Sequence, residues 1–85
     1  MKRVLKYAFD GVHLVALLPP GAMPVRAAPQ LSHINLWVEV PEDQSCTVSR
    51  VFTVFTTGQN VPDDAVYVDT VFIDDFVFHI YEVFA

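Results

Sequence analysis

The chain has 85 residues, a formal net charge of −5 and a hydrophobic fraction of 53%. That length makes one domain, residues 1–85, and no more. An internal disulfide is excluded because Cys46 is the only cysteine, and a lone thiol fits a reducing compartment better than a secreted scaffold.

A chain this short buries only roughly 60–65% of the surface it exposes when unfolded. Its interior is too small for all of its apolar side chains, so an oily patch is expected to meet another chain, as in a homo-oligomer. The charge is unevenly distributed. Lys2, Arg3, Lys6, Arg26 and Arg50 all precede a stretch holding Asp63, Asp64, Asp69, Asp74, Asp75 and Glu82. An acidic half repels phosphate, so direct nucleic-acid binding is not expected, whereas a basic protein partner suits it. Met1 to Leu18 begins like a signal peptide, but Asp10, Gly11 and His13 interrupt its apolar part. No run approaches the roughly 20 apolar residues that span a bilayer. The expectation is a soluble intracellular protein with no membrane partner.

The first segment, Lys2 to Phe9, alternates, with Leu5, Tyr7 and Phe9 on one side and Lys2, Lys6 and Ala8 on the other. Asp10-Gly11 is a strong two-residue hairpin signal, so His13 to Leu18 is expected to return antiparallel to that strand. Pro19-Pro20-Gly21-Ala22 makes a rigid turn. Met23 to Ala28 reads as an extended segment broken by Pro24, hence an edge or irregular strand. Ile34 to Val40 alternates cleanly, with Ile34, Leu36, Val38 and Val40 opposed to Asn35, Trp37 and Glu39. After a polar loop from Pro41 to Cys46, Val48 to Thr57 is another strand. It sets Val48, Arg50, Phe52 and Val54 against Val51, Thr53 and Phe55. Thr56 to Asp64 is a loop. Ala65 to Ile73 and Phe76 to Phe84 form the clearest hairpin, turning at Asp74-Asp75. The pattern predicts an all-β domain, a small antiparallel barrel or sandwich of about six to seven short strands with little or no helix.

In the last strand, Phe76, Phe78, Ile80 and Phe84 share one side and Val77, Tyr81 and Val83 the other. A strand apolar on both sides is covered on both sides. The second cover is either another molecule or a loop of the chain itself.

No constellation for catalysis stands out. The five aspartates from Asp63 to Asp75 fit no loop that wraps a cation, and Asp63-Asp64 and Asp74-Asp75 read as solvated turns. His13, His33 and His79 form no metal-ligand spacing. The glycines are isolated, which removes a phosphate cradle, and Ser32-His33 lacks a triad pattern. The expectation is no enzyme, no cofactor and no metal. Thr56-Thr57-Gly58-Gln59-Asn60 is rich in hydrogen-bonding groups around a permissive glycine, which suits a polar ligand or a peptide backbone, although an ordinary connection has the same composition. The candidate partner- or ligand-binding residues are Trp37, Thr56, Thr57, Gln59, Asn60, Phe78, His79 and Tyr81.

Read in order, several short pieces form a set: Lys6-Tyr7, Leu18-Pro19 with Gly21-Ala22, Leu36-Trp37, and Arg50 with Phe52 and Val54. Thr57-Gly58 with Pro62, Tyr67, Thr70-Val71 and Phe78-His79-Ile80-Tyr81-Glu82 complete it. The set resembles a family of short proteins of tailed phages and prophages that have no assigned function, and it covers nearly the whole chain. Members of that family tend to carry Gly-Thr-Gly-His where this chain has Thr56-Thr57-Gly58-Gln59. They also tend to have glycines where it has Asp74-Asp75. Any chemistry of that loop histidine is therefore missing here. The resemblance implies a phage origin and a host cytoplasm, with no activity attached. Three functions fit: a phage accessory protein that binds a host component such as an antiviral-defence protein, a virion or capsid-decoration protein, and a binder that sequesters a small ligand or nucleotide.

Overall fold

The computed structural model describes residues 1–43 and 45–84. Seven strands follow one another: β1 (Lys2–Ala8), β2 (His13–Leu18), β3 (Met23–Gln30), β4 (His33–Pro41), β5 (Val48–Thr56), β6 (Val66–Ile73) and β7 (Phe76–Val83). There is no helix among the described residues. Two antiparallel sheets result, a three-stranded one in the order β1-β4-β3 and a four-stranded one in the order β2-β5-β7-β6. The expected all-β class and strand number are thus observed. No helix in the described residues is long and apolar enough to cross a membrane.

The alternation of each strand sets its inner row. Leu36 and Val38 of β4, Phe52 of β5 and Ile80 of β7 are fully enclosed between the sheets, with Phe9, Leu18 and Val71 around them. Side chains of a β-strand point alternately to its two faces, so these residues share one dry layer. Pro24 has the effect expected of it. β3 is an edge strand, and its pairing with β4 slips between Pro24 and Arg26.

One pairing differs from the expectation. Asp10 and His13 exchange backbone bonds of 2.9 and 3.2 Å across Gly11, whose φ is +61°. The turn is real, but β1 and β2 then part: β1 pairs with β4 and β2 with β5. Phe9 explains the divergence. Its N–H donates to the Ile34 carbonyl at 2.8 Å and its ring is buried, so the chain stays with the first sheet to Phe9 and crosses to the second at Asp10-Gly11. A hairpin unnoticed in the sequence joins β3 to β4. Leu31 and Ser32 both have positive φ, +51° and +71°, as a two-residue type I′ turn demands. Buried Asn35 stabilises it by donating its side-chain N–H to the carbonyls of Gln30 (3.2 Å) and His33 (3.1 Å).

The two flanks of the sandwich close unequally. β3 and β6 lie close together, whereas β1 and β2 scarcely touch. At the closed flank Asp69 Oδ2 accepts the Ala27 N–H at 2.8 Å, beside the bulges of both strands. At the open flank a groove of about 470 Å³ runs between the sheets, bordered by Leu5, Tyr7, Leu17 and Val40.

Candidate functional site

The last hairpin places Tyr81 and His79 on the outer side of the four-stranded sheet, beside the loop that leaves β5. Residues Thr56, Thr57, Gln59, His79 and Tyr81 surround a shallow hollow of about 220 Å³ floored by Phe55 and Val61. Five of the eight residues singled out in the sequence therefore come together. The loop is held by its own groups: Gln59 Oε1 accepts the Thr56 N–H at 3.1 Å, and the Gln59 N–H donates to the Thr56 carbonyl at 3.1 Å. Gly58, with φ +91°, supplies the left-handed residue of this turn.

His79 is a relay of hydroxyl contacts. Its Nε2 lies 2.8 Å from Thr57 Oγ1 and its Nδ1 lies 3.2 Å from Thr70 Oγ1. Thr70 Oγ1 is in turn 2.6 Å from the Tyr67 hydroxyl. Tyr81 meets Phe55 and Tyr67 edge to face, with ring centroids at 5.8 and 5.5 Å. Such pairs add about 0.5–1.5 kcal/mol beyond their buried area. Both imidazole nitrogens and the Gln59 side-chain oxygen are thus engaged within the protein.

The other three candidates lie elsewhere. Asn60 stays exposed in the loop. Phe78 points inward from β7 and is half-buried against the core, stacked beside Phe76 at 6.3 Å. Its parity with fully enclosed Ile80 carries that information. Trp37 lies on the outer face of the opposite sheet, where Lys6 and Arg26 are its direct neighbours across the strands.

The hollow belongs to a much larger feature. The outward positions of the four-stranded sheet are His13, Val15 and Leu17 on β2, and Ser49, Val51, Thr53 and Phe55 on β5. They continue as Val77, His79, Tyr81 and Val83 on β7, and Tyr67, Thr70 and Phe72 on β6. No Asp, Glu, Lys or Arg occurs among them, although 18% of the chain is charged. Leu17 and Phe72 are each 70% exposed and Val15 64%. Outward positions of the other sheet include Lys2, Lys6, Arg26 and Glu39. Loss of charge together with Tyr and Phe is what the centre of a protein interface shows.

An ion pair inside the sandwich was not anticipated. Arg50 and Glu82 both face inward from adjacent strands, and the guanidinium grips the carboxylate twice, Nε to Oε2 and Nη2 to Oε1, each at 2.7 Å. Arg50 Nη1 also donates to the Ala22 carbonyl at 2.5 Å. The hydrogen bonds that Arg50 donates to Glu82 raise the Arg50 pKa above its ordinary value, against the opposing effect of burial. The signal was present: an opposite charge on the apolar side of each of two neighbouring strands. This pair ties β5, β7 and the turn before β3 together, and it lies on the far side of the sheet from the hollow. Among the described residues no cluster of three or more His, Cys, Asp or Glu side chains is placed to hold a metal ion. Cys46 is an exposed free thiol.

The chain belongs to the domain family of unknown function DUF7352, whose model matches residues 1–85. No curated protein and no solved structure matches it.

Proposed function

We propose that this is a phage-encoded accessory protein of the host cytoplasm that works without catalysis, by binding a host protein through the outer face of its four-stranded sheet. The observation that carries this reading is the absence of charge from that face. An ordinary solvent-facing sheet alternates apolar and polar residues. Here the outward row of every strand is apolar, aromatic or hydroxylic instead. Tyr67, Tyr81 and His79 supply rigid amphipathic anchors. The Asp74-Asp75 turn at the end of β6 and β7 adds negative charge at the margin, which suits a basic rim on the partner and speeds encounter. A host component of antiviral defence is the kind of target such a small, acidic binder fits.

The test is capture of host proteins on the immobilised chain, followed by reconstitution of the captured protein with the purified domain. The expected result is a complex that weakens with salt and is lost in Leu17→Lys and Phe72→Lys variants that remain folded. A complex indifferent to both substitutions refutes the assignment of the face. The virion alternative predicts abundant chain in purified particles by mass spectrometry. The small-ligand alternative has the hollow at Thr57 and His79 in its favour, but the groups there already satisfy one another. A cyclic nucleotide at 100 times its dissociation constant would raise stability by about 2.7 kcal/mol and show as a thermal shift.

A further inference from the structure

We infer that in the free protein this same face is covered by a second copy of the chain, packed face to face about a two-fold axis. The inference rests on the reading of the face as an interface and names its occupant when no host protein is bound. Size is the first argument. Four strands at about 4.8 Å spacing and about seven residues at about 3.4 Å each give a footprint of roughly 19 by 24 Å. Side chains that stand out from it, such as Leu17 and Phe72, raise the accessible area toward the roughly 600–1,000 Å² that each partner contributes to a standard interface.

Self-complementarity is the second argument. A two-fold interface sets a patch against its own image, so any charge near the axis meets its like. A protein of net charge −5 would repel itself through most of its surface. The outward row of β2, β5, β7 and β6 is the one extended sheet face, among the described residues, without a formal charge. The opposite sheet carries Lys2, Lys6 and Arg26 outward with Glu39 as their single counter-charge, so its face is charged and net positive, and two copies of it would desolvate those ions and set like charges together. Shape agrees as well: identical sheets twist with the same hand, and two of them pack aligned at about −30° with side chains interleaved. The dimer would be a four-layered stack with both three-stranded sheets outermost. A host partner that uses the face then has to displace one copy.

The experiment is sedimentation velocity of the full chain across about 1–200 µM, comparing wild type with a Val15→Glu/Val51→Lys double variant. Val15 and Val51 are direct cross-strand partners on the outer face. An opposite-charge pair there preserves sheet pairing and net charge while setting two ions into the seam. Wild type is expected at twice 9.6 kDa. The double variant, with an unchanged far-ultraviolet spectrum, is expected as a monomer, its dimer weakened at least about 100-fold. Val4→Lys, on the other sheet, should leave the dimer intact. A wild type that stays monomeric throughout the range overturns the inference, and so does a dimer that survives the double variant or is lost with Val4→Lys. A monomeric wild type that still forms the salt-sensitive host complex would remove the dimer alone. Loss of the host complex with a persisting dimer would remove the functional reading alone.

Discussion

Replacing Glu82 with Leu tests what the enclosed ion pair does for the fold. The substitution leaves the Arg50 guanidinium inward-facing without its counter-charge, held by the Ala22 carbonyl and the face of the Phe52 ring 5.8 Å away. Removing one member of a buried pair costs about 3–5 kcal/mol, chiefly because the other charge is stranded. The side chains of Arg50 and Glu82 are 14% and 10% exposed, so some water reaches them, and the low end, about 3 kcal/mol, applies. A domain of this length has about 4–13 kcal/mol in total. At about 4–8 °C per kcal/mol, the melting temperature should fall by roughly 12–24 °C. Arg50→Met combined with Glu82→Leu removes both charges and should recover most of that loss, since apolar replacement of a whole pair is often neutral. Thermal denaturation followed by circular dichroism on wild type, both single variants and the double variant completes the cycle. Additive losses, with the double variant the least stable of the four, would show that the pair contributes no coupling and that the reasoning is wrong.

Ile80→Asp buries an unpaired charge at a position with no solvent exposure, and should abolish the cooperative melting transition; Phe78→Asp, on the same inward row but half-buried, should destabilise the domain less, as a lowered melting temperature. Asp69→Ala deletes the acceptor of the Ala27 N–H and should cost about 1–3 kcal/mol, with faster hydrogen exchange concentrated in β3 and β6. Gln59→Ala removes the exposed acceptor of the Thr56 N–H and hydroxyl and should lower stability by no more than about 1 kcal/mol, leaving a folded domain in the heteronuclear NMR spectrum. Gly58→Ala places a side chain at φ +91° and should cost about 1 kcal/mol or more in chemical denaturation, through strain alone.

Strand positions were largely legible because alternation at period two is a local property. Ile34 to Val40 shows it without interruption, and β4 has the inner row that this alternation predicts. Pairing was less legible. Leu5, Tyr7 and Phe9 before Asp10-Gly11, and Leu14, Ala16 and Leu18 after it, look the same whether the turn closes a hairpin or carries the chain from one sheet to the other. Only the long-range partners of Phe9 decide, and they are not near in sequence. The β3–β4 turn escaped notice for a different reason. Leu31 and Ser32 are poor turn residues, and the amide that compensates them, Asn35, comes three residues later. For the candidate site, the Thr56 to Gln59 loop and the Tyr81 side of β7 were visible as separate segments, and the register of β5 on β7 joins them. Trp37 could not be assigned a sheet by periodicity, and the structure sets it apart. The Arg50–Glu82 pair needed strand adjacency as well as parity, which no local pattern contains.

The unequal flanks of the sandwich make the molecule behave like a book bound along one spine. The spine is the β3–β6 side, pinned where Asp69 holds the Ala27 amide, and the fore-edge is the gap between β1 and β2. A parting of the two leaves would open first at the fore-edge, where Leu5 and Tyr7 would meet incoming water before Ala27 or Val71 does. Because β1 is paired along its whole length with β4, it would move with its leaf and not peel away alone.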